Sequence, residues 1–357
     1  MTDPKIVAAS TFALVAAVAA AVAMTGCSSA EGPSTQPANQ SATQPTADAA
    51  DATVILASLE APTRFASFLT PGELLDLQSA NPNLVIVDAR KPAEYAAGHI
   101  PGAINLPGKH LRTAKAKPGQ GDSQYLFRDV SGEIDVPRYE QLLGEAGLTK
   151  DTPVVVYGNH AGKGDGTVPA MILDVLGHED VRFLDGVGLS NWQAAGFEVS
   201  TEPTVLPTAT YTADVDSDFL WNLDEVLASV GDESVVFYDT RSLPEYDGTD
   251  TKRGNARPGH IPGAVRGNYA DFLDDAKNLK PRDEVEAILA DHGVIAALDE
   301  GKTVVMYCQT STRVSLPYLV LRDLGYDNVA VYDASWHEYG NRDDTPVETG
   351  VPVVAVK

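Results

Sequence analysis

The sequence predicts a duplicated α/β protein, with two domains that are each a parallel sheet flanked by helices on both faces. Three observations carry this expectation. Short Val-rich runs without polar alternation occur at 84–87, 154–157, 181–184, 235–238, 303–307 and 329–332. Val-rich, non-alternating runs of that length read as strands covered on both sides. Between them lie amphipathic helical patterns at 71–78, 138–146, 223–230 and 282–292, and such alternation builds parallel sheets. The third observation is a long-period internal repeat, in which each half of roughly 140 residues is long enough for its own core.

In chain order, residues 6–24 form a nearly unbroken Ala- and Val-rich run with Lys5 ahead of it and no charge inside, which reads as an export signal. Met24-Thr25-Gly26-Cys27 resembles a bacterial lipoprotein processing box, in which Cys27 is lipidated and becomes the new N-terminus. About 20 apolar residues can also span a bilayer, so an uncleaved anchor helix is the alternative. Residues 1–27 are thus expected to be a signal peptide with a lipoprotein box. Residues 28–62 are dominated by Ser, Thr, Gln, Pro, Ala and Asp, too polar to offset their ordering entropy, and read as a flexible linker. A first domain is expected over 63–202, a Pro-containing linker over 203–212 and a second domain over 213–357.

The repeat is explicit. Asp88-Ala89-Arg90, Glu94-Tyr95 and Gly98-His99-Ile100-Pro101-Gly102-Ala103 recur as Asp239-Thr240-Arg241, Glu245-Tyr246 and Gly259-His260-Ile261-Pro262-Gly263-Ala264. The second copy carries a longer insert before Gly259. Val154-Val155-Val156-Tyr157 answers Val304-Val305-Met306-Tyr307, and Phe183-Leu184-Asp185-Gly186 answers Val331-Tyr332-Asp333-Ala334. The period is far longer than that of a solenoid. Because His99 and His260, and likewise Asp88 and Asp239, occur in both copies, they are expected to organise turns together with Arg90 and Arg241.

The copies differ at one place that matters for chemistry. The run 303–307 is followed by Cys308-Gln309-Thr310-Ser311-Thr312-Arg313 and a helix-compatible stretch, 314–324. A cysteine between a strand end and a helix start sits where backbone N–H groups converge, and the helix dipole and Arg313 favour thiolate over thiol. The alternative is a buried structural cysteine. The chain holds two cysteines, and Cys27 belongs to the leader, so Cys308 has no disulfide partner in the mature chain. The matching place in the first copy reads Tyr157-Gly158-Asn159-His160, without a nucleophile.

These motifs resemble the tandem-domain rhodaneses, the thiosulfate and 3-mercaptopyruvate sulfurtransferases. The resemblance covers roughly residues 65–351 and includes Asp-x-Arg, Glu-Tyr, Gly-His-Ile-Pro-Gly-Ala, the strand-Cys-loop-helix and the closing segment 332–340. It implies a non-catalytic first domain that walls the site. It also implies a catalytic second domain whose Cys308 takes the sulfane sulfur of thiosulfate as a persulfide and yields it to cyanide or a thiol.

Backbone N–H groups of 309–313 are expected to hold the persulfide as oxyanion-type donors do. Gln309, Thr310, Ser311, Thr312 and Arg313 are the candidate substrate-binding residues of the loop. The formal charge of −24 argues against nucleic acid partners. An anionic donor then needs a local cationic exception, found in the insert at Lys252, Arg253 and Arg257, with Arg266 beyond His260.

Cys-x4-Arg is one residue shorter than the Cys-x5-Arg loop of related phosphatases, which suits a sulfur atom better than a tetrahedral oxyanion. The loop matches neither the Cys-Gly-Ser-Gly-Val-Thr of mercaptopyruvate enzymes nor the more cationic loops of thiosulfate enzymes. Glu245 stands where mercaptopyruvate enzymes commonly carry a substrate-binding Arg, and together with Arg313 it tilts the reading toward thiosulfate. A tethered sulfur carrier or redox-binding module with little turnover is the competing class. No metal-ligand spacing appears and no cofactor is implied. The chain is expected to be a monomer, lipid-anchored on the extracytoplasmic face of the cell envelope.

Overall fold

The computed structural model describes residues 63–112, 125–129, 131–215, 217–252 and 254–351. Cys27, the leader and the 28–62 linker lie outside the described residues, as does Arg253. In chain order the first half runs β1 (Phe68–Leu69), α1 (Pro71–Ala80), β2 (Val85–Asp88), α2 (Pro92–Ala97), β3 (Ile104–Asn105), α3 (Val136–Glu145), β4 (Val154–Tyr157), α4 (Thr167–Val175), β5 (Val181–Leu184) and α5 (Gly188–Ala194). The second half runs β6 (Leu220–Trp221), α6 (Leu223–Ala228), β7 (Val235–Asp239), α7 (Leu243–Tyr246), β8 (Val265–Arg266), α8 (Arg282–Asp291), α9 (Val294–Asp299), β9 (Thr303–Tyr307), α10 (Ser315–Asp323), β10 (Val329–Tyr332) and α11 (Ser335–Tyr339).

Each half makes a five-stranded sheet, in the orders β1-β5-β4-β2-β3 and β6-β10-β9-β7-β8, and every pairing between named strands is parallel. The two orders superpose element for element, so the duplication read from the motifs is a duplication of topology. The two-residue edge strands β1, β3, β6 and β8 were not expected, because a pair of residues carries no periodic signal.

Local chemistry fixes the element starts. Thr70 caps α1 in a capping box with Glu73, with Pro71 at the first helical position, and Asn222 caps α6 in the same way with Glu225. The Asp-x-Arg motif is a local ion pair. Arg90 Nη2 lies 2.5 Å from Asp88 Oδ2 and also donates to the Gly98 carbonyl, and Arg241 repeats both bonds with Asp239 and Gly259. His99 and His260 stack on Tyr95 and Tyr246, with ring centroids 3.8 and 3.7 Å apart, and bond the carbonyls of those tyrosines. The turns therefore use these histidines structurally.

The halves meet through α4 and α10. Thr167 and Ser315, at the two helix starts, share a hydroxyl hydrogen bond of 2.7 Å, and the Tyr318 hydroxyl donates to Asp174 at 2.7 Å. Both helices are buried almost all round, since each lies between its own sheet and the other helix. Two reciprocal clamps add to this. Asp185 at the end of β5 accepts the Leu279 N–H from the second half, and Asp333 at the end of β10 accepts the N–H groups of Leu126, Phe127 and Arg128 from the first. The join after the first half is bound along it, with Ala209 N–H donating to the Gly144 carbonyl and Ala213 N–H to Glu140.

At the end of β4 the first half has closed over the place where the second half holds its cysteine. A Cβ on Gly158 would lie 1.3 Å from the Asp165 carbonyl oxygen, and Asn159 ties the loop further by donating to Glu94 and Asp165. Gly158→Cys is therefore expected to destabilise the protein by about 3 kcal/mol, the cost of overpacking a closed site. Urea unfolding midpoints of the variant and the unmodified protein measure the loss.

Candidate active site

Cys308 follows the last residue of β9, the central strand of the second sheet. It therefore emerges at the carboxyl end of a parallel sheet, where such folds place their ligands. It is a free thiol with no exposed surface. The loop curls back so that the Arg313 N–H donates to Cys308 Sγ at 3.4 Å. The first turn of α10 follows at once and directs its positive end toward the same region.

The curl depends on two serines in the left-handed region, Ser311 at φ 49° and Ser335 at φ 56°. Each costs about 1 kcal/mol for a residue with a Cβ, so the surroundings must hold them there. Ser335 Oγ accepts the N–H groups of both Cys308 and Ser311, each at 3.2 Å. Ser311 Oγ donates to the Tyr332 carbonyl at 3.0 Å and also to that of Asp333. The α11 backbone completes the seam, with Trp336 N–H on the Cys308 carbonyl and His337 N–H on that of Gln309, both at 3.0 Å.

The expected site residues divide into three groups. Arg313 is next to the sulfur through its backbone, but its guanidinium is engaged bidentately by Glu245, at 2.7 and 2.9 Å. Burial alone would raise the Glu245 carboxyl, but the hydrogen bonds and charge of Arg313 win and hold it at about 2. The fixed charge expected from Arg313 is thus largely neutralised within the pair. Gln309 pairs side chain to side chain with Asn255 of the insert, at 3.1 and 2.5 Å. The Thr310 carbonyl and the Thr312 hydroxyl face the first half of the chain, where both accept from Arg112.

Two of the candidate residues have their side chains turned elsewhere. Ser311 does not offer its hydroxyl to the sulfur, because that hydroxyl is turned to the carbonyls ending β10. Arg257 is engaged away from the sulfur. Its guanidinium donates to the Tyr339 and Thr345 carbonyls and to the Thr345 hydroxyl, bracing the turn after α11. Among the described residues, no group of three or more His, Cys, Asp or Glu side chains converges as a metal site.

Ser335, Asn255 and Arg112 were not singled out from the sequence. A serine forced to positive φ has no signature of its own, and Asn255 lies in an insert without a counterpart in the first copy. Arg112 lies between the shared Gly98–Ala103 turn and the shared run at 154–157, in neither motif, and reaches the loop only because the halves dock. Burial pulls the Arg112 guanidinium below its ordinary value, while the neighbouring Cys308 and Asp333 charges pull it back. Asp333 itself, fully buried behind the loop, is lifted to about 6 by burial despite the N–H donors of 126–128.

The rhodanese-like domain model matches the chain twice, over residues 70–195 and 222–342. The chain belongs to the rhodanese family. A thiosulfate sulfurtransferase of Azotobacter vinelandii is 32% identical over 80% of this chain and 98% of its own length. One of Pseudomonas aeruginosa is 31% identical over 75% and 92%. Rhodanese relatives of this kind make the protein a sulfurtransferase. Among solved structures, an anaerobic ergothioneine biosynthesis enzyme from Chlorobium limicola, in complex with trimethyl histidine, superposes with a TM-score of 0.66 at 26% identity. That superposition covers 81% of this chain and 72% of the other. A structure of the enzyme EanB holding a cysteine persulfide gives the same TM-score, 0.66, at 26% identity, over 80% and 71%.

The Glu245–Arg313 pair has a pH signature. A carboxyl near 4.5 when free and held at about 2 in the fold binds fewer protons folded than unfolded. Its stabilisation is therefore complete above the free value and is lost as pH falls toward the folded one. Glu245→Gln strands the buried Arg313 charge and should cost about 3 kcal/mol at pH 7. The gap from the unmodified protein should narrow as pH is lowered from 5 to 3, measured by urea unfolding midpoints.

Proposed function

We propose that this rhodanese moves a sulfane sulfur from thiosulfate through a persulfide on Cys308 to cyanide or a thiol. The observation that carries this reading is the Arg313 N–H on Cys308 Sγ at the end of the central strand. A donor placed there can follow the charge from thiolate to persulfide without losing its hydrogen bond. In the first step the Cys308 thiolate attacks the outer sulfur of thiosulfate, an S–S bond forms, the original S–S bond breaks and sulfite leaves with its electron pair. In the second, cyanide attacks the outer persulfide sulfur, thiocyanate departs and the thiolate returns. A thiol acceptor would leave as a hydropersulfide, with its proton retained by the product.

Thiosulfate is favoured over 3-mercaptopyruvate by Glu245. A buried carboxylate already spending Arg313 leaves that pair no guanidinium for a second carboxylate from the donor. The thiosulfate sulfurtransferase relatives point the same way. A fully buried thiol also favours small donors over a large carrier partner, which would need more of the loop opened.

For location, we propose that Cys27 is lipidated and tethers the enzyme to the extracytoplasmic face.

Cys308→Ser should abolish thiosulfate:cyanide transfer with the circular dichroism spectrum unchanged. In the unmodified protein, intact mass should rise by one sulfur atom after thiosulfate and fall back after cyanide. Residual transfer above a few per cent in the serine variant would assign the chemistry elsewhere. Cys27→Ser should block acylation and cleavage of the leader, read by detergent partitioning and N-terminal mass. An unmodified chain found membrane-bound with its leader uncleaved would instead establish an anchor helix.

A further inference from the structure

We propose that Arg112, carried by the first domain, is a positioning residue that holds the Cys308 loop in its active curl and supplies the cationic character that draws an anionic donor to the sulfur. The proposal rests on the sulfurtransferase reading above for its substrate, but not for its geometry.

The key feature is one peptide group. The carbonyl of Thr310 accepts from Arg112 Nη2 at 2.9 Å, and the N–H of the next residue, Ser311, donates to Ser335 Oγ at 3.2 Å. A peptide unit is planar and its C=O and N–H point in opposite directions. This one is therefore gripped at both ends, by the first domain on one side and by α11 on the other. It immediately precedes the left-handed φ of Ser311, the torsion that lets the loop return the Arg313 N–H to the sulfur. Arg112 Nη2 also donates to Thr312 Oγ1, so the loop is held on both sides of Ser311. Without Arg112 the 310–311 peptide keeps only its Ser335 grip, so Ser311 leaves the left-handed region more readily and the sulfur then loses its donor.

Charge gives the second half of the argument. Arg313 has its guanidinium closed on Glu245, and Arg257 is turned to the 339–345 turn. Arg112, by contrast, has no carboxylate ion-pair partner among the described residues, and its loop partners are a neutral carbonyl and a neutral hydroxyl. A planar fork of donors, with one nitrogen spent on the loop, suits a dianion such as thiosulfate better than an ammonium would.

The test uses the full chain with Arg112→Ala and Arg112→Lys. For thiosulfate:cyanide transfer, Ala should lose about 100-fold in kcat/KM, by raising the KM for thiosulfate and lowering kcat, and Lys should recover about tenfold of that loss. A second readout needs no turnover. The ratio of Cys308 alkylation rates by anionic iodoacetate and neutral iodoacetamide should fall about tenfold in Ala and be largely kept in Lys. An Ala variant within threefold of the unmodified enzyme in kcat/KM, or with an unchanged alkylation ratio, overturns the proposal while leaving the Cys308 reading intact. An unmodified enzyme that never gains sulfur from thiosulfate overturns that reading instead, and the alkylation ratio then decides the role of Arg112 alone.

Discussion

One hydroxyl stands at the centre of the bonds that hold the candidate active loop of this rhodanese. Ser335 Oγ accepts two backbone N–H groups from the loop, those of Cys308 and Ser311, and can do so only because Ser335 itself is in the left-handed region. The constraint propagates in both directions. It fixes the start of α11, whose next two N–H groups seal the carbonyls of Cys308 and Gln309, and it sets the turn that returns the Arg313 N–H to the sulfur. Two strained serines facing each other are tolerated because they bond each other and share the Tyr332 carbonyl as a common acceptor.

Charge in the site is handled by neutralisation as much as by attraction. The Asp-x-Arg pairs are buried and bidentate in both halves, so they hold the turns without presenting net charge to the cleft. Glu245 does the same to Arg313. In a chain of formal charge −24, this leaves the local field around the sulfur to the few cations that are not paired in this way.

The two halves share one scaffold and differ in the loop after the central strand. Both sheets have the same order, both histidine turns have the same stacked tyrosine, and both helix starts contribute one hydroxyl to the seam between halves. The first half closed its loop onto Gly158, whereas the second kept a cysteine and gained the insert that carries Asn255 to Gln309. The first half matters physically to the second, because its 126–128 segment and Arg112 are bound by groups immediately behind and beside the Cys308 loop.

The duplication and the parallel sheets were legible in the sequence, and Cys308 stood out there as the candidate nucleophile. Each of these rests on information local to a few residues: Val-rich runs, repeated motifs in fixed order, and one cysteine between a strand and a helix. It also placed His99 and His260 correctly as turn residues, since a group kept in both the loaded and the empty copy serves the fold. Short edge strands escaped, because two residues have no period. The roles within the loop were decided only by tertiary structure. Whether an arginine is a free charge or half of a pair depends on a carboxylate 68 positions away, as with Arg313 and Glu245. Whether a serine hydroxyl faces sulfur or a strand end depends on a φ angle that no residue type announces. Arg112 became part of the site only through docking of the two halves, a contact between residues 198 positions apart that no local pattern could encode.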